Sequence, residues 1–401
     1  MKRWKKAVLI LLAIFAVVQI PFIYRRYEFG QRAGLIESTN AARIARTDPE
    51  FVEFKGIIHA HTNLGGHSTG SFEELIAAAA ANRLDFVVMT EHTSPDFDTA
   101  TLTLNGTYRD VLFIGGNEAD TISGDRFLML PGGPEMFGDA RLETPQFLEK
   151  YHAQEKAALI TYPEKFKSWD SSFDGIEVFS LHTNAKQNTR ILTILDMLWS
   201  FPSYPGLTLA ANFKRPDENL RRFDEIAARR RISLFAGTDA HSNIGGHLFG
   251  DDAGNKLINL KLDRYENIFS IVRAHILLKR TERLTRESVI EAIRGGRMFV
   301  GLDVLGDSSG FSFTAESGIK RYSMGDEFKF SEGSVLKSAS PVAARFVILR
   351  NGVKVLEERE KTEIAFDVKE PGAYRVEVYR DDLGSELSGM PWIMSNPIFI
   401  R

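Results

Sequence analysis

An α/β body of alternating strands and helices, with an apolar helix before it and an all-β region after it, is the fold class this 401-residue chain predicts. Three observations carry that prediction. The segment 7–24, AVLILLAIFAVVQIPFIY, holds no charge. From 54 to 302, short apolar runs alternate with amphipathic stretches of helical spacing. From 303 the pattern turns to period-two alternation that no helical spacing interrupts. The organisation that follows is a transmembrane anchor at 7–24, a stalk at 25–53, an α/β body at 54–302 and a β-sandwich at 303–401.

The anchor rests on length and flanks. As a helix, the run would span roughly 27 Å, close to the hydrocarbon thickness of a bilayer. Lys2, Arg3, Lys5 and Lys6 precede it, and Trp4 and Tyr24 suit the two interfaces. The leading positives favour a cytoplasmic N-terminus and an extracytoplasmic body, although Arg25 and Arg26 weaken the asymmetry. A cleaved signal peptide is the rival reading, and Gln19-Ile20-Pro21-Phe22 is a poor cleavage site. The polar stretch 25–50 reads as a helical or extended stalk, broken at Thr47-Asp48-Pro49.

In the body, Ile57–His61 reads as a strand. Ser71 with Glu74 makes a capping box that opens an Ala-rich helix at 72–82. Strands follow at 86–89, 111–114, 127–130, 159–162, 176–179 and 233–236. Thr144-Pro145 opens a helix, and others are expected at about 188–200, 216–230 and 286–294. Repeated βα units argue for a mostly parallel sheet or barrel, whose sites lie at the carboxyl ends of strands. Beyond 303, Phe311–Thr314, Ala344–Leu349, Glu363–Phe366 and Tyr374–Val378 alternate, with Asn351-Gly352 as a hairpin turn. Pro391–Ile400 reads as a final strand returning to a core.

Composition narrows the chemistry. Hydrophobic residues at 43% can bury a sizeable core, and a net charge of −3 gives no global field for nucleic acid. With no cysteine, disulfides and thiolate metal sites are excluded. Any metal must use His, Asp, Glu or water.

Such residues recur after apolar runs. His59 and His61 sit one residue apart on a strand, so both can point to one side. Then come Thr90-Glu91-His92, Gly116-Asn117-Glu118 and Gly237-Thr238-Asp239-Ala240-His241. His67 lies in the glycine-rich loop 63–70, where Ser68 and Thr69 can brace ligands. His247 lies in a loop that could reach the site, whereas His152 and His275 read as surface residues.

Together, His-x-His, the loop His67, Thr-Glu-His, Glu118 and Gly-Thr-Asp-Ala-His resemble the PHP (polymerase and histidinol phosphatase) superfamily over roughly 54–300. The resemblance implies a distorted (β/α)7 PHP barrel, two or three divalent ions (Zn or Mn, or Fe) and phosphoester hydrolysis. Position by position, it implies that His59, His61, Glu118 and Asp239 hold one ion and His67, His92 and His241 another, with Glu118 bridging to a third. Glu118 and His182 are the candidate catalytic residues. The chain departs from the family at Tyr162-Pro163, where His-Pro is usual, and His182 could stand in as a ligand. Glu91 replaces the usual Asp and would orient a ligand imidazole. Lys165, Lys186, Lys214 and Arg215 are candidate phosphate clamps.

The expected function is a membrane-anchored metal-dependent phosphoesterase acting on a small-molecule or envelope phosphoester, without a nucleic-acid surface. Two alternatives stay open. One is amidohydrolase-type C–N hydrolysis, although no lysine follows a strand where a carboxylated bridge would need it. The other is a non-catalytic, metal-stabilised envelope binding module.

Overall fold

A computed structural model describes residues 3–44, 46–66, 68–136, 142–188, 191–242, 245–250, 256–261 and 263–401. The side chains of 188, 191–194, 245–250 and 256–261 fall outside that description. The first element, α1 (Arg3–Ala41), is long and apolar enough to cross a membrane. Its residues 3–18 are all exposed, while Gln19, Phe22 and Phe29 are buried. Residues 25–41 of the stretch read as a stalk continue α1 without a break. Arg32 within this helix and Arg43 just past it fasten the stretch to the C-terminal region, on Glu386 (2.8 Å) and Asp307 respectively.

The body is built on β1 (Phe51–Ala60), β2 (Phe86–His92), β3 (Val111–Asp120), β4 (Arg126–Leu130), β5 (Ala157–Thr161), β6 (Gly175–Ser180), β7 (Ser233–Gly237), β8 (Arg273–Lys279) and β9 (Met298–Gly301). β1, β2 and β3 pair in parallel, as do β5, β6 and β7. β4 runs antiparallel to β3 and β5, and β8 runs antiparallel to β1 and β9. The sheet is therefore mixed rather than mostly parallel.

Nor does it close into a barrel. β7 and β1 share no ladder and meet at one isolated bridge, Ala60 to Ala240. The backbone gives the reason. His59 (φ 71°) and Asp239 (φ 49°) both sit in the left-handed region at these strand ends, which interrupts the extended backbone on both sides and leaves only the single bridge just past them. A register shift between Ile58 and Ala60 marks the same bulge on the β2 side.

Burial on both faces explains the continuous apolar runs of these strands. Ile57, Val87, Phe113 and Ile176 face one core, while Ile58, Val88, Ile114 and Phe235 face another. The helices cover the first core and one edge of the second. They are α2 (Phe72–Ala81), α3 (Thr144–His152), α4 (Leu181–Asn188), α5 (Ile191–Ser200), α6 (Asp217–Ala227) and α7 (Arg286–Gly295). The Ser71–Glu74 capping box forms, each side chain meeting the other residue's backbone N–H. α4 has no counterpart in the sequence reading. It leaves β6 directly, with the Ser180 hydroxyl accepting the Thr183 N–H at 3.3 Å in place of a recognisable capping pattern.

The C-terminal region is β-rich. β10 (Val335–Arg350) and β11 (Val353–Asp367) form a long hairpin, with Asn351 (φ 50°) and Gly352 (φ 81°) supplying the turn. β12 (Gly372–Tyr379) pairs with β10, and β13 (Ile393–Ser395) pairs with both β12 and β9. The final segment thus joins the region to the body's sheet. Buried ion pairs reinforce the seam. Arg375 grips Asp224 of α6 through two 2.7 Å bonds, and Arg215 reaches both oxygens of Glu377 at 2.5 and 3.0 Å.

Candidate metal centre

Strand register assembles the site. On β2 and β3, His92 stands directly opposite Glu118. On β4 and β5, Arg126 stands opposite Thr161, next to Tyr162. The bridge between Ala60 and Ala240 brings the end of β1, with His59 and His61, against Asp239 and His241.

The nitrogen and oxygen atoms that converge there are spaced like ligands rather than like hydrogen-bonding partners. Glu118 Oε2 lies 3.4 Å from His59 Nε2, 3.2 Å from His61 Nε2 and 3.3 Å from His92 Nε2. Asp239 Oδ1 lies 3.4 Å from both His59 Nε2 and His61 Nε2. Around an ion with bonds of about 2.1 Å, tetrahedral ligand atoms stand roughly 3.4 Å apart. Four of the six edges of such a tetrahedron are therefore present between the imidazoles of His59 and His61 and the carboxylates of Glu118 and Asp239. The same four residues form one compact donor group, overlapped by His61, His92 and His241 and by His182, Asp239 and His241.

Supporting contacts set the tautomers. His59 Nδ1 meets Glu177 Oε1 at 2.8 Å, so an N–H there leaves Nε2 with its lone pair toward the cluster. His241 Nδ1 meets the carbonyl oxygen of Asp239 at 2.8 Å, which likewise leaves Nε2 available. Tyr162 donates to Asp239 Oδ2 at 2.7 Å. Tyr162 (φ 51°), like His59 and Asp239, holds a left-handed backbone, so three site residues from three strand ends share this uncommon conformation. Such strain persists where surrounding structure enforces it, often at functional sites. Gly237 has to be glycine, since a Cβ would stand 1.7 Å from Glu177 Oε1 and 2.9 Å from His59 Cβ.

The electrostatics ask for positive charge. Burial opposes ionisation of His59, but Glu177, Asp239 and Glu118 outweigh it and hold the imidazole well above its usual range. Burial likewise works against His61, yet its contacts with Asp239 and Glu118 raise it to about 8. Burial would raise Glu118 and Asp239, but the imidazoles hold both well below the usual carboxylate range. A cluster that retains protons this strongly is one in which a dication can displace them. The donor set, five imidazoles and two carboxylates with no thiolate, is of the kind that suits a first-row divalent metal.

Not every expectation holds in detail. His59, His61, His92, Glu118, His182, Asp239 and His241 are brought together. His67 lies outside the described residues, and so does the side chain of His247. Glu91 accepts the Thr62 N–H (3.0 Å) and the hydroxyls of Thr62 (2.6 Å) and Thr103 (3.1 Å), bonds that brace the turn after His61. Ser68 donates to the His241 carbonyl and Thr69 to the Ser242 carbonyl, tying the loop to the opposite strand end. Arg215 is committed to Glu377 and Asp217 and leaves the clamp set. Lys165 Nζ lies 5.8 Å from the centre of the Tyr162 ring, close to the cluster.

His275 is the clearest correction. Instead of lying on the surface it is fully buried, with Nδ1 2.6 Å from Glu53 and Nε2 3.3 Å from Asp303 and 3.1 Å from Ser308. Strand Arg273–Lys279 was absent from the sequence reading, and without it nothing marked this position as interior.

Two site residues escaped sequence reasoning. Glu177 is fully buried in the middle of β6, among Ile176, Val178 and Phe179. A lone acid inside an apolar strand was its available signal. Arg126 lies 3.3 Å from Glu118 Oε1 and 5.2 Å from the Tyr162 ring centre, while Asp120 holds its Nε at 2.6 Å. Only the pairing of β3, β4 and β5 makes Arg126 and Glu118 neighbours.

No family model and no curated protein matches the chain. Among solved structures, PsfC from Pseudomonas syringae PB-5123 aligns over 60% of this chain and 89% of its own, at 12% identity and a TM-score of 0.39, a likeness too slight to bear on the site.

Proposed function

We propose that this chain is a membrane-anchored, metal-dependent phosphoesterase of the PHP type, with α1 spanning the bilayer through residues 7–24 and the body on the extracytoplasmic side. The spacing of His59, His61, Glu118 and Asp239 as four edges of one coordination tetrahedron carries the reading. The ordered His-x-His, Thr-Glu-His, Glu118 and Asp-Ala-His motifs support it, and so does the convergence of their side chains into overlapping donor groups. A pair of divalent ions bound there supplies charge neutralisation on phosphoryl oxygens and a more acidic water.

The chain's own residues do the rest. Glu177 holds His59, Tyr162 holds Asp239, Arg126 braces Glu118, and Lys165 beside the Tyr162 ring brings the positive charge a phosphate needs. A water oxygen bonds to phosphorus as the P–O bond to the leaving alcohol breaks, and the water's proton passes to solvent. His182, half-buried beside Asp239 and His241, protonates the leaving oxygen and regains a proton from solvent before the next turnover.

The test uses the full chain in neutral detergent. Metal content is measured first, then turnover of phosphomonoesters and phosphodiesters with Mn²⁺ or Zn²⁺. Two or more ions per chain are expected, with a turnover that Asp239→Ala lowers at least about 1,000-fold. A fully loaded protein that cleaves no ester in the panel ends the phosphoesterase reading and leaves a metal-stabilised binder.

A further inference from the structure

A cavity of about 500 Å³ opens beside the metal cluster, within the range of pockets that engulf small ligands. Its lining is of two kinds. His182, Lys186, Thr238, Asp239 and Asp263 are polar, while among the described residues the larger part is apolar, led by Leu181, Met197, Phe201, Leu209 and Ile268. A site for a free sugar phosphate or nucleotide would present hydrogen-bonding groups around a polar ligand. This wall presents thioether, aromatic and aliphatic carbon.

The position of the cavity explains the difference. Met197 belongs to α5, and Phe201 follows its last residue. α5 packs on α1 at the level where α1 leaves the apolar run. Trp199 Nε1 donates to Gln19 Oε1 at 2.9 Å, Arg26 reaches the Trp199 carbonyl at 3.0 Å and Ser203 at 2.9 Å, and Arg25 pairs with Asp196. Gln19 lies five residues before Tyr24, the end of the uncharged run. At about 1.5 Å per residue that is roughly 7.5 Å inside the boundary. Interfacial helices sink their apolar faces by about 5–10 Å, the same depth. α5 reads ILTILDMLWS, Leu198 is 68% exposed, and Trp199 suits the headgroup level. The helix that walls the cavity is thus held at the bilayer surface by the anchor itself.

We infer that the substrate is an amphiphilic phosphoester drawn from the membrane, its phosphate at the metal cluster and its alkyl chain in the cavity behind α5. This rests on the phosphoesterase and anchor readings above. The cavity lets a headgroup reach the cluster while the chain passes from bilayer to apolar protein, without crossing water. Hydrolysis follows the step already given, with the chain remaining on whichever product retains it.

The experiment is a chain-length series. The full-length protein in neutral detergent, loaded with Mn²⁺, is given p-nitrophenyl ethyl, butyl, hexyl and octyl phosphate at fixed detergent. kcat/KM is expected to rise about threefold per added methylene through hexyl. That slope should flatten in Met197→Glu and in Phe201→Asp and survive in Phe201→Leu, which keeps an apolar wall. Equal kcat/KM across the four esters overturns the inference, as does a slope indifferent to the two charged variants. If neither these esters nor the broader panel is cleaved, the phosphoesterase reading fails separately, and calorimetry then decides the cavity. Octyl phosphate binding at least tenfold tighter than ethyl phosphate, with the gap closed by Phe201→Asp, sustains the chain site. Equal affinities remove it.

Discussion

Two buried clusters in this protein are made of the same residue types and do opposite things. Along β1, His275 of the neighbouring strand pairs with Lys55, four residues before His59 and so roughly 13 Å down the strand. There, one imidazole faces Glu53 at 2.6 Å, Asp303 at 3.3 Å and Ser308 at 3.1 Å. Each ring nitrogen has an acceptor, and one proton on each satisfies the set. At the carboxyl end of the same strand, three imidazole Nε2 atoms crowd Glu118 Oε2 at 3.2–3.4 Å, and two of them, from His59 and His61, lie 3.4 Å from Asp239 Oδ1 as well. Protons cannot satisfy that many nitrogens around so few acceptors with good hydrogen-bond geometry. The first cluster closes on itself as a structural ion pair, and the second has a spacing that could hold a metal ion. Counting buried histidines and acids does not separate the two; ligand spacing does.

Metal removal should break the comparison most visibly. Stripping the protein with EDTA is expected to cost about 4 kcal/mol relative to free metal at a thousandfold excess over its Kd, read as a shift in urea unfolding. Stability indifferent to EDTA would mean that the upper cluster, too, is satisfied by protons.

The lower cluster is expected to respond to its own mutation and not to metal. His275→Ala takes one partner from the buried Asp303 carboxylate and one from the half-buried Glu53, at a cost of about 3 kcal/mol, while the metal content per chain stays unchanged. Its pH dependence has a defined sign. Burial works against the charged form, but Asp303 and Glu53 raise the His275 pKa from 6.5 to about 9. Its contribution is therefore full below about pH 6.5 and fades as pH rises through about 9. The metal-free protein should lose stability over that window, and His275→Ala should lose correspondingly less. A wild-type profile that is flat from pH 6.5 to 9 would contradict an imidazolium at this position.

The smallest effect sharpens the comparison at one bond. Tyr162→Phe removes the hydroxyl that donates to Asp239 and should weaken metal binding about tenfold without emptying the site. Unchanged affinity in a competition titration would make Tyr162 a bystander.

Much of the upper cluster was legible because its residues stand at the ends of apolar runs, and strand ends in α/β folds gather at one rim. His59 and His61 shared a side in the reading and meet the same two carboxylates in the structure, even though a bulge intervenes. What failed was everything that depends on which strand lies beside which. Arg126 is eight residues from Glu118 along the chain and touches it only because β4 turns back antiparallel. Arg215 looked like a clamp until the C-terminal region presented Glu377 to it.

The amino-acid order by itself determined the local periods: an uncharged run long enough for a bilayer, strands with imidazoles and acids just past them, and period-two alternation after residue 303. These follow from side-chain direction and burial within one element. Tertiary structure alone decided the mixed and unclosed sheet, the interior place of His275, the support of Glu177 behind His59, and the apolar cavity that α5, packed on α1, helps to wall beside the cluster. Each depends on pairings tens to hundreds of residues apart, and such pairings are selected by the packing of the whole chain rather than by the propensity of any segment.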